Sequence, residues 1–126
     1  MKLIRADEMD YEPAGHESPT APGVWKKVLL KREEMQQGTV QMVNWAKLPA
    51  GNSFAAHYHE DMQEFFVILS GTPRITVSDE AVQLRPGDTI LIDAREVHEM
   101  RNDGDEDVEY LAVGITASTG GKTVVV

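Results

Sequence analysis

The chain has 126 residues, of which 41% are hydrophobic and 26% charged, and it contains no cysteine. This length suits one domain with a single core, and without cysteine any metal site must use nitrogen and oxygen donors. The formal net charge of −9, from 12 basic and 21 acidic side chains, argues against nucleic-acid binding, which requires a basic surface to neutralise phosphates.

The sequence also carries no sign of a membrane or export segment. No stretch approaches the roughly 20 apolar residues of a membrane-spanning helix. The opening residues MKLIRADEMDYEPAG lack the apolar core of a secretory signal. We therefore predict a cytoplasmic protein that binds neither membrane nor nucleic acid.

The pattern along the chain predicts an arm followed by a series of strands. Residues 1–23 contain three prolines and two glycines without helical periodicity, which predicts an extended N-terminal arm. The predicted strands are VWKKVLLK (24–31), TVQMVNWAKL (39–48), FAAHYH (54–59), QEFFVILSG (63–71), RITVS (74–78), AVQL (81–84), DTILIDA (88–94), VHEMRN (97–102) and VEYLAVGITA (108–117). Because β-α-β alternation is missing, residues 24–126 are predicted to form a single all-β sandwich or barrel.

The stretch HYHEDMQEFFVILSG (57–71) places polar residues at positions that alternation turns inward. In an extended strand His57 and His59 share one face, and Glu64 shares a face with Phe66 and Ile68. An inward carboxylate is costly unless it is paired, hydrogen-bonded or bound to a metal. Taken alone, two histidines in a strand are also typical of hydrogen-bonded core or surface residues, so both interpretations stay open at this point.

Two spacings together resemble the motifs of the cupin superfamily. The first is Gly51-x5-His57-x-His59-x4-Glu64-x6-Gly71, and the second is Gly87-x5-Asp93-x-Arg95-x2-His98-x3-Asn102. Asp93 and Arg95 stand where the family usually has proline and glycine. The resemblance covers roughly residues 45–115. It implies a cupin-type jelly-roll barrel in which His57, His59, Glu64 and His98 coordinate one divalent transition metal, with Mn, Fe, Ni, Zn and Cu as candidates.

This ligand set and its neighbours predict a pocket for a small molecule. Three neutral imidazoles and one carboxylate leave a net +1 charge around a divalent ion, which favours an anionic or enolisable oxygen ligand. By register Phe66, Met100 and Tyr110 lie near the ligands, and Phe54 lies in a loop beside them, so these four are predicted to line the pocket or simply to fill the core. Tyr110 is the candidate catalytic acid or base. No basic residue is expected on the inner face near the ligands, which argues against phosphosugar substrates.

The favoured functional interpretation is a metal-dependent oxidoreductase of dioxygenase type that acts on a small organic molecule. The alternatives are a non-catalytic ligand-binding cupin, a cupin isomerase or lyase, and a cupin fold that has lost its metal. By analogy with small cupins, we also expect a homodimer, with contacts at residues 1–23, 24–31 and 123–126.

Overall fold

The structure is a computed structural model and describes residues 8–31, 33, 39–116 and 122–126. The first seven residues of the predicted arm lie outside this part of the chain. The strands within it are β1 (Glu12–Pro13), β2 (Trp25–Lys31), β3 (Val40–Leu48), β4 (His57–His59), β5 (Gln63–Ser70), β6 (Arg74–Val77), β7 (Glu80–Gln83), β8 (Thr89–Ile92), β9 (His98–Arg101), β10 (Val108–Ile115) and β11 (Thr123–Val125).

These strands form two antiparallel sheets. One has six strands in the order β1-β2-β3-β10-β5-β8, and the other has five in the order β11-β4-β9-β6-β7. The all-β prediction is therefore confirmed. Among the described residues, no helix is long and apolar enough to cross a membrane.

The core lies between the sheets and follows from strict alternation along the strands. On β5, Glu64, Phe66 and Ile68 are buried while the residues between them are partly exposed. The most deeply buried aliphatic side chains, each at most 1% exposed, are Leu48, Ile68, Ile75, Ile92 and Val108. Burial of one such side chain stabilises the fold by about 1.5–3 kcal/mol, so this layer fixes which residues face inward.

The described part of the arm is tied to β2 and to the segment just before β4. Glu12 and Pro13 pair with β2, and Ala14 N–H donates to Val24 O at 3.2 Å. Both oxygens of Glu17 accept backbone hydrogen bonds, from Ala55 N–H at 2.8 Å and from Gly23 N–H at 3.3 Å. These bonds hold the segment around residue 16 over the space between the sheets. The division into arm and barrel domain stays a prediction.

Two turn glycines adopt left-handed backbone conformations in different surroundings. Gly71 has φ +85°, and a Cβ on it would lie 2.6 Å from Val108 Cγ2 and 3.2 Å from Asp107 O. Gly87 has φ +89°, but a Cβ there would meet nothing within 4 Å. Gly71 therefore serves both a turn and a close approach between chain segments, whereas Gly87 serves a turn alone.

The two glycines allow backbone strain to be separated from steric clash. We expect Gly87→Ala to lower the free energy of unfolding by about 1 kcal/mol, the cost of a left-handed L-residue. Gly71→Ala should cost roughly 2 kcal/mol more because it also forces a clash with Val108. Urea unfolding of both variants followed by circular dichroism measures the difference, and equal losses would contradict the close approach.

Candidate metal centre

The candidate ligands come from both sheets. His57 and His59 lie on β4, and His98 lies on β9 directly across from His57. Glu64 lies on β5 of the other sheet, facing them across the core. Strand pairing thus joins the two histidines of the first motif to the histidine of the second, and the stacking of the sheets brings in the carboxylate.

The four side chains are buried and converge. His57, His59, Glu64 and His98 are 3%, 7%, 5% and 1% exposed, and one potential ligand atom from each lies within 4.8 Å of all the others. Glu64 Oε1 is 3.2 Å from His59 Nε2 and 3.3 Å from His98 Nε2. The structure therefore brings together all four ligands predicted from the sequence.

The outer nitrogen of each histidine is held by an acceptor on the protein. His57 Nδ1 lies 2.7 Å from Ala55 O, and His98 Nδ1 lies 3.0 Å from Glu96 O. A carbonyl only accepts, so both Nδ1 atoms carry the proton. His59 Nδ1 lies 3.0 Å from Thr123 Oγ1, which can accept in the same way. A ring that carries its only proton on Nδ1 turns the lone pair of Nε2 toward the centre, as in metal-binding histidines.

This arrangement fits a metal ion on its own chemistry. Lone pairs of Nε2 atoms that face a carboxylate oxygen repel it unless a proton or a metal ion lies between them. Imidazole nitrogens with one carboxylate oxygen suit divalent transition metals. The four buried residues could therefore bind one such ion.

The electrostatics keep two of the ligands in the charge state that a metal requires. Burial lowers the pKa of His57 to about 3, with further lowering by His98 and His16, so the ring stays neutral. Burial raises the pKa of Glu64, but hydrogen bonds from the Nε2 atoms of His59 and His98 and the positive charge of these rings in their protonated form outweigh it and bring the value to about 2. Glu64 is therefore ionised at neutral pH, ready to bind a cation.

A cavity of about 650 Å³ opens onto this centre. His57, His59 and Glu64 contribute to its wall, as do three of the predicted pocket residues, Phe54, Phe66 and Tyr110. Met100 is fully buried and is not among the residues that line the cavity. Burial raises the pKa of Tyr110, with a further contribution from Glu64, so its phenol remains protonated and can donate a hydrogen bond.

Polar residues that sequence reasoning missed also line the cavity, among them His16, Lys26 and Asn44. Lys26 therefore places a basic residue in the wall of the same cavity, at a distance from the inner face near the ligands where none was expected. Lys26 and Lys27 are adjacent in β2, and the sequence does not reveal which of two lysines faces inward. His16 lies in the proline-rich arm, yet its ring centroid is 4.1 Å from that of His57. No periodicity in that arm could have indicated this contact.

Comparisons with known proteins agree with this architecture. The family model described as "Cupin domain" matches residues 44–114, which is more than half of the chain. The oxalate-binding protein of Thermotoga maritima is 34% identical over 111 residues, covering 88% of this chain and 91% of the relative.

Solved structures give the same result. A predicted oxalate decarboxylase from Thermotoga maritima superimposes with a TM-score of 0.81 at 30% identity, covering 91% of this chain and 99% of that chain. A polyketide cyclase from Streptomyces resistomycificus gives a TM-score of 0.82 at 16% identity, covering 100% of this chain and 85% of that chain. The latter similarity concerns the fold alone.

The ligand role of Glu64 can be tested by removing its charge with little change in shape. We expect Glu64→Gln to weaken binding of Zn(II) or Mn(II) by at least roughly tenfold. Even the loss of a residue that only hydrogen-bonds to a metal ligand lowers metal affinity by about that much. Titration calorimetry and elemental analysis after dialysis measure the effect. Glu60→Gln is the matched control, because Glu60 lies next to β4 and its Oε1 is 3.9 Å from Lys122 Nζ rather than at the centre. Equal metal content in both variants would contradict the assignment.

Proposed function

The chain belongs to the cupin domain family, and we propose that it binds a small carboxylate-bearing organic molecule at one metal ion held by His57, His59, Glu64 and His98. The observation that carries this proposal is a buried donor set that opens onto a cavity of about 650 Å³. A volume of this order suits a small organic ligand. The metal, when bound, supplies a Lewis-acid centre for ligand oxygens.

Charge and chemistry favour a carboxylate as the group that meets the centre. One carboxylate ligand leaves a divalent ion with a net +1 charge, so an anionic oxygen is attracted. Phe54 and Phe66 give the cavity apolar walls, which exclude water and strengthen that attraction. The name of the Thermotoga maritima relative, an oxalate-binding protein, supports the same class of ligand.

Tyr110 is proposed to orient the ligand rather than to remove a proton from it. Its raised pKa keeps the hydroxyl protonated, which suits a hydrogen-bond donor to a ligand oxygen and does not suit a general base at neutral pH. This refines the catalytic role expected from the sequence.

A second candidate function is turnover by a dioxygenase-type oxidoreductase. The observation that favours it is that three of the candidate ligands, His57, His59 and Glu64, line an open cavity. Structural metal sites are closed by protein ligands, whereas catalytic ones keep a position for substrate.

Titration calorimetry distinguishes the proposal from a purely structural metal. We expect oxalate to bind the Mn(II)- or Zn(II)-loaded protein at least about tenfold more tightly than acetate, because two oxygens can meet the ion at once. The double variant His57→Ala, His59→Ala and the EDTA-treated protein are the controls, and neither should bind oxalate. Metal-loaded protein that binds no oxalate would contradict the proposal.

The same samples decide between binding and turnover. Protein loaded with Fe(II) or Mn(II) is supplied with oxalate and with a panel of enolic and phenolic compounds. Oxygen uptake above the level of the double variant supports the dioxygenase-type candidate. Binding without any turnover supports a ligand-binding protein.

We further propose a homodimer formed by the outer face of the six-stranded sheet. Two cross-strand rows on this face are apolar: Phe65 pairs with Leu91 and with Val113, and Leu111 pairs with Val67 and with Trp45. Leu69 and Leu91 on it are 37% and 55% exposed. A contiguous apolar face of this kind is typical of a protein–protein contact, and a second copy would cover it with a matching surface.

Light scattering coupled to size exclusion tests the dimer. We expect the wild-type mass to be twice that of the chain, and the double variant Leu69→Lys, Leu91→Lys to be monomeric because charges on this face would be buried unpaired. Val82→Lys is the control, since Val82 is 40% exposed and lies on the other sheet. A monomeric wild-type protein would refute the proposed dimer.

A further inference from the structure

Two polar atoms in the cavity wall lack a hydrogen-bond partner within the described part of the chain: His16 Nε2 and Asn44 Oδ1. Both atoms are buried, and buried polar atoms in folded proteins are nearly always paired. His16 Nε2 still has Glu17 Oε1 at 3.4 Å, although without hydrogen-bonding geometry. Asn44 lies within a strand, and because no donor on the described residues holds its Oδ1, the amide group can rotate and present its NH2 to the cavity.

Strand register places Asn44 well away from the metal ligands. Asn44 pairs with Ala112, and Ala112 pairs with Phe66, so the three form one row across the sheet. Neighbouring strands are about 4.8 Å apart, which puts Asn44 about 10 Å from Phe66. Glu64 lies in the adjacent row, and the alanine between Asn44 and Phe66 leaves the floor of the cavity open.

Lys26 lies at the same end of the cavity as Asn44. It is on β2, the strand next to β3, where it pairs with Ala46, while Asn44 pairs with Val28. Both Lys26 and Asn44 contribute to the cavity wall. The cavity therefore has a charged and hydrogen-bonding end on β2 and β3, and a metal-binding end at β4, β5 and β9.

We propose that Lys26 and Asn44 form a second subsite that holds a carboxylate, so that the preferred ligand is a dicarboxylic acid longer than oxalate. The inference rests on the proposed function, since the metal end must hold the first carboxylate. The Lys26 ammonium supplies charge, and the Asn44 amide can turn its NH2 toward an anionic oxygen. Oxalate, with two carbons, is too short to reach from the metal end to Asn44, whose strand lies two strand spacings, about 10 Å, from the strand of Glu64.

A pair of ligands that differ only at the distal end tests the subsite. 2-Oxoadipate and 2-oxohexanoate share a six-carbon chain and the same chelating head, but one ends in a carboxylate and the other in a methyl group. We expect calorimetry on the metal-loaded wild-type protein to show at least tenfold tighter binding of 2-oxoadipate. In Lys26→Met and in Asn44→Leu the preference should fall to threefold or less, with metal content unchanged.

Lys27→Met is the matched control. It makes the same charge change on the same strand, but Lys27 Nζ lies over the ring of Tyr11 at 4.6 Å and outside the cavity wall, so the preference should persist. A purely structural role for Asn44 predicts a lower melting temperature in Asn44→Leu. The subsite predicts an unchanged or higher one, because an unpaired buried atom is removed.

The outcomes separate this inference from the proposed function. If oxalate and 2-oxohexanoate bind but the distal carboxylate adds nothing, the subsite is overturned while the metal end stands. If neither oxalate nor 2-oxohexanoate binds, the proposed function itself is contradicted. Variants that weaken both six-carbon ligands equally, or that lose metal, would also overturn the subsite.

Discussion

The Nδ1 atoms of three buried histidines contact acceptors on the protein: Ala55 O for His57, Thr123 Oγ1 for His59 and Glu96 O for His98. The carbonyl acceptors place the proton on the outer nitrogen and so turn the inner lone pair toward Glu64. Lone pairs and a carboxylate that face one another in this way can be stabilised by one shared cation. The chemistry of the cavity follows from this constraint.

The same constraint links the two halves of the fold. The histidines belong to the five-stranded sheet and Glu64 to the six-stranded one, so an ion shared among them would hold the sheets together across the core. Binding that requires the folded arrangement adds to the stability of that arrangement. The arm takes part as well, because Glu17 bonds to Ala55 N–H, next to the histidine strand, and positions His16 against His57.

Much of this could be predicted from local pattern. The alternation of side chains along a strand correctly predicted that Glu64 faces inward together with Phe66 and Ile68. The spacing of the two motifs identified His98 as the fourth candidate ligand. Contacts between distant segments could not be predicted in this way. The residues around His16 and Thr123 form no pattern that indicates their contacts with His57 and His59. Arg95 shows a further limit: it replaces the family's usual glycine yet keeps φ +70°, so the turn survives at the cost of backbone strain.

Thr123 and His59 are 64 residues apart in the chain, so the ribosome synthesises His59 well before the residue that holds its ring. A growing chain releases the first motif well before His98 and Thr123. During that interval the candidate ligands His57, His59 and Glu64 are present, but the ring of His59 has no partner to fix its orientation. An ion captured then would be held in an unfinished geometry and would exchange readily. The geometry that would select one metal over another is therefore complete only after β11 has paired with β4.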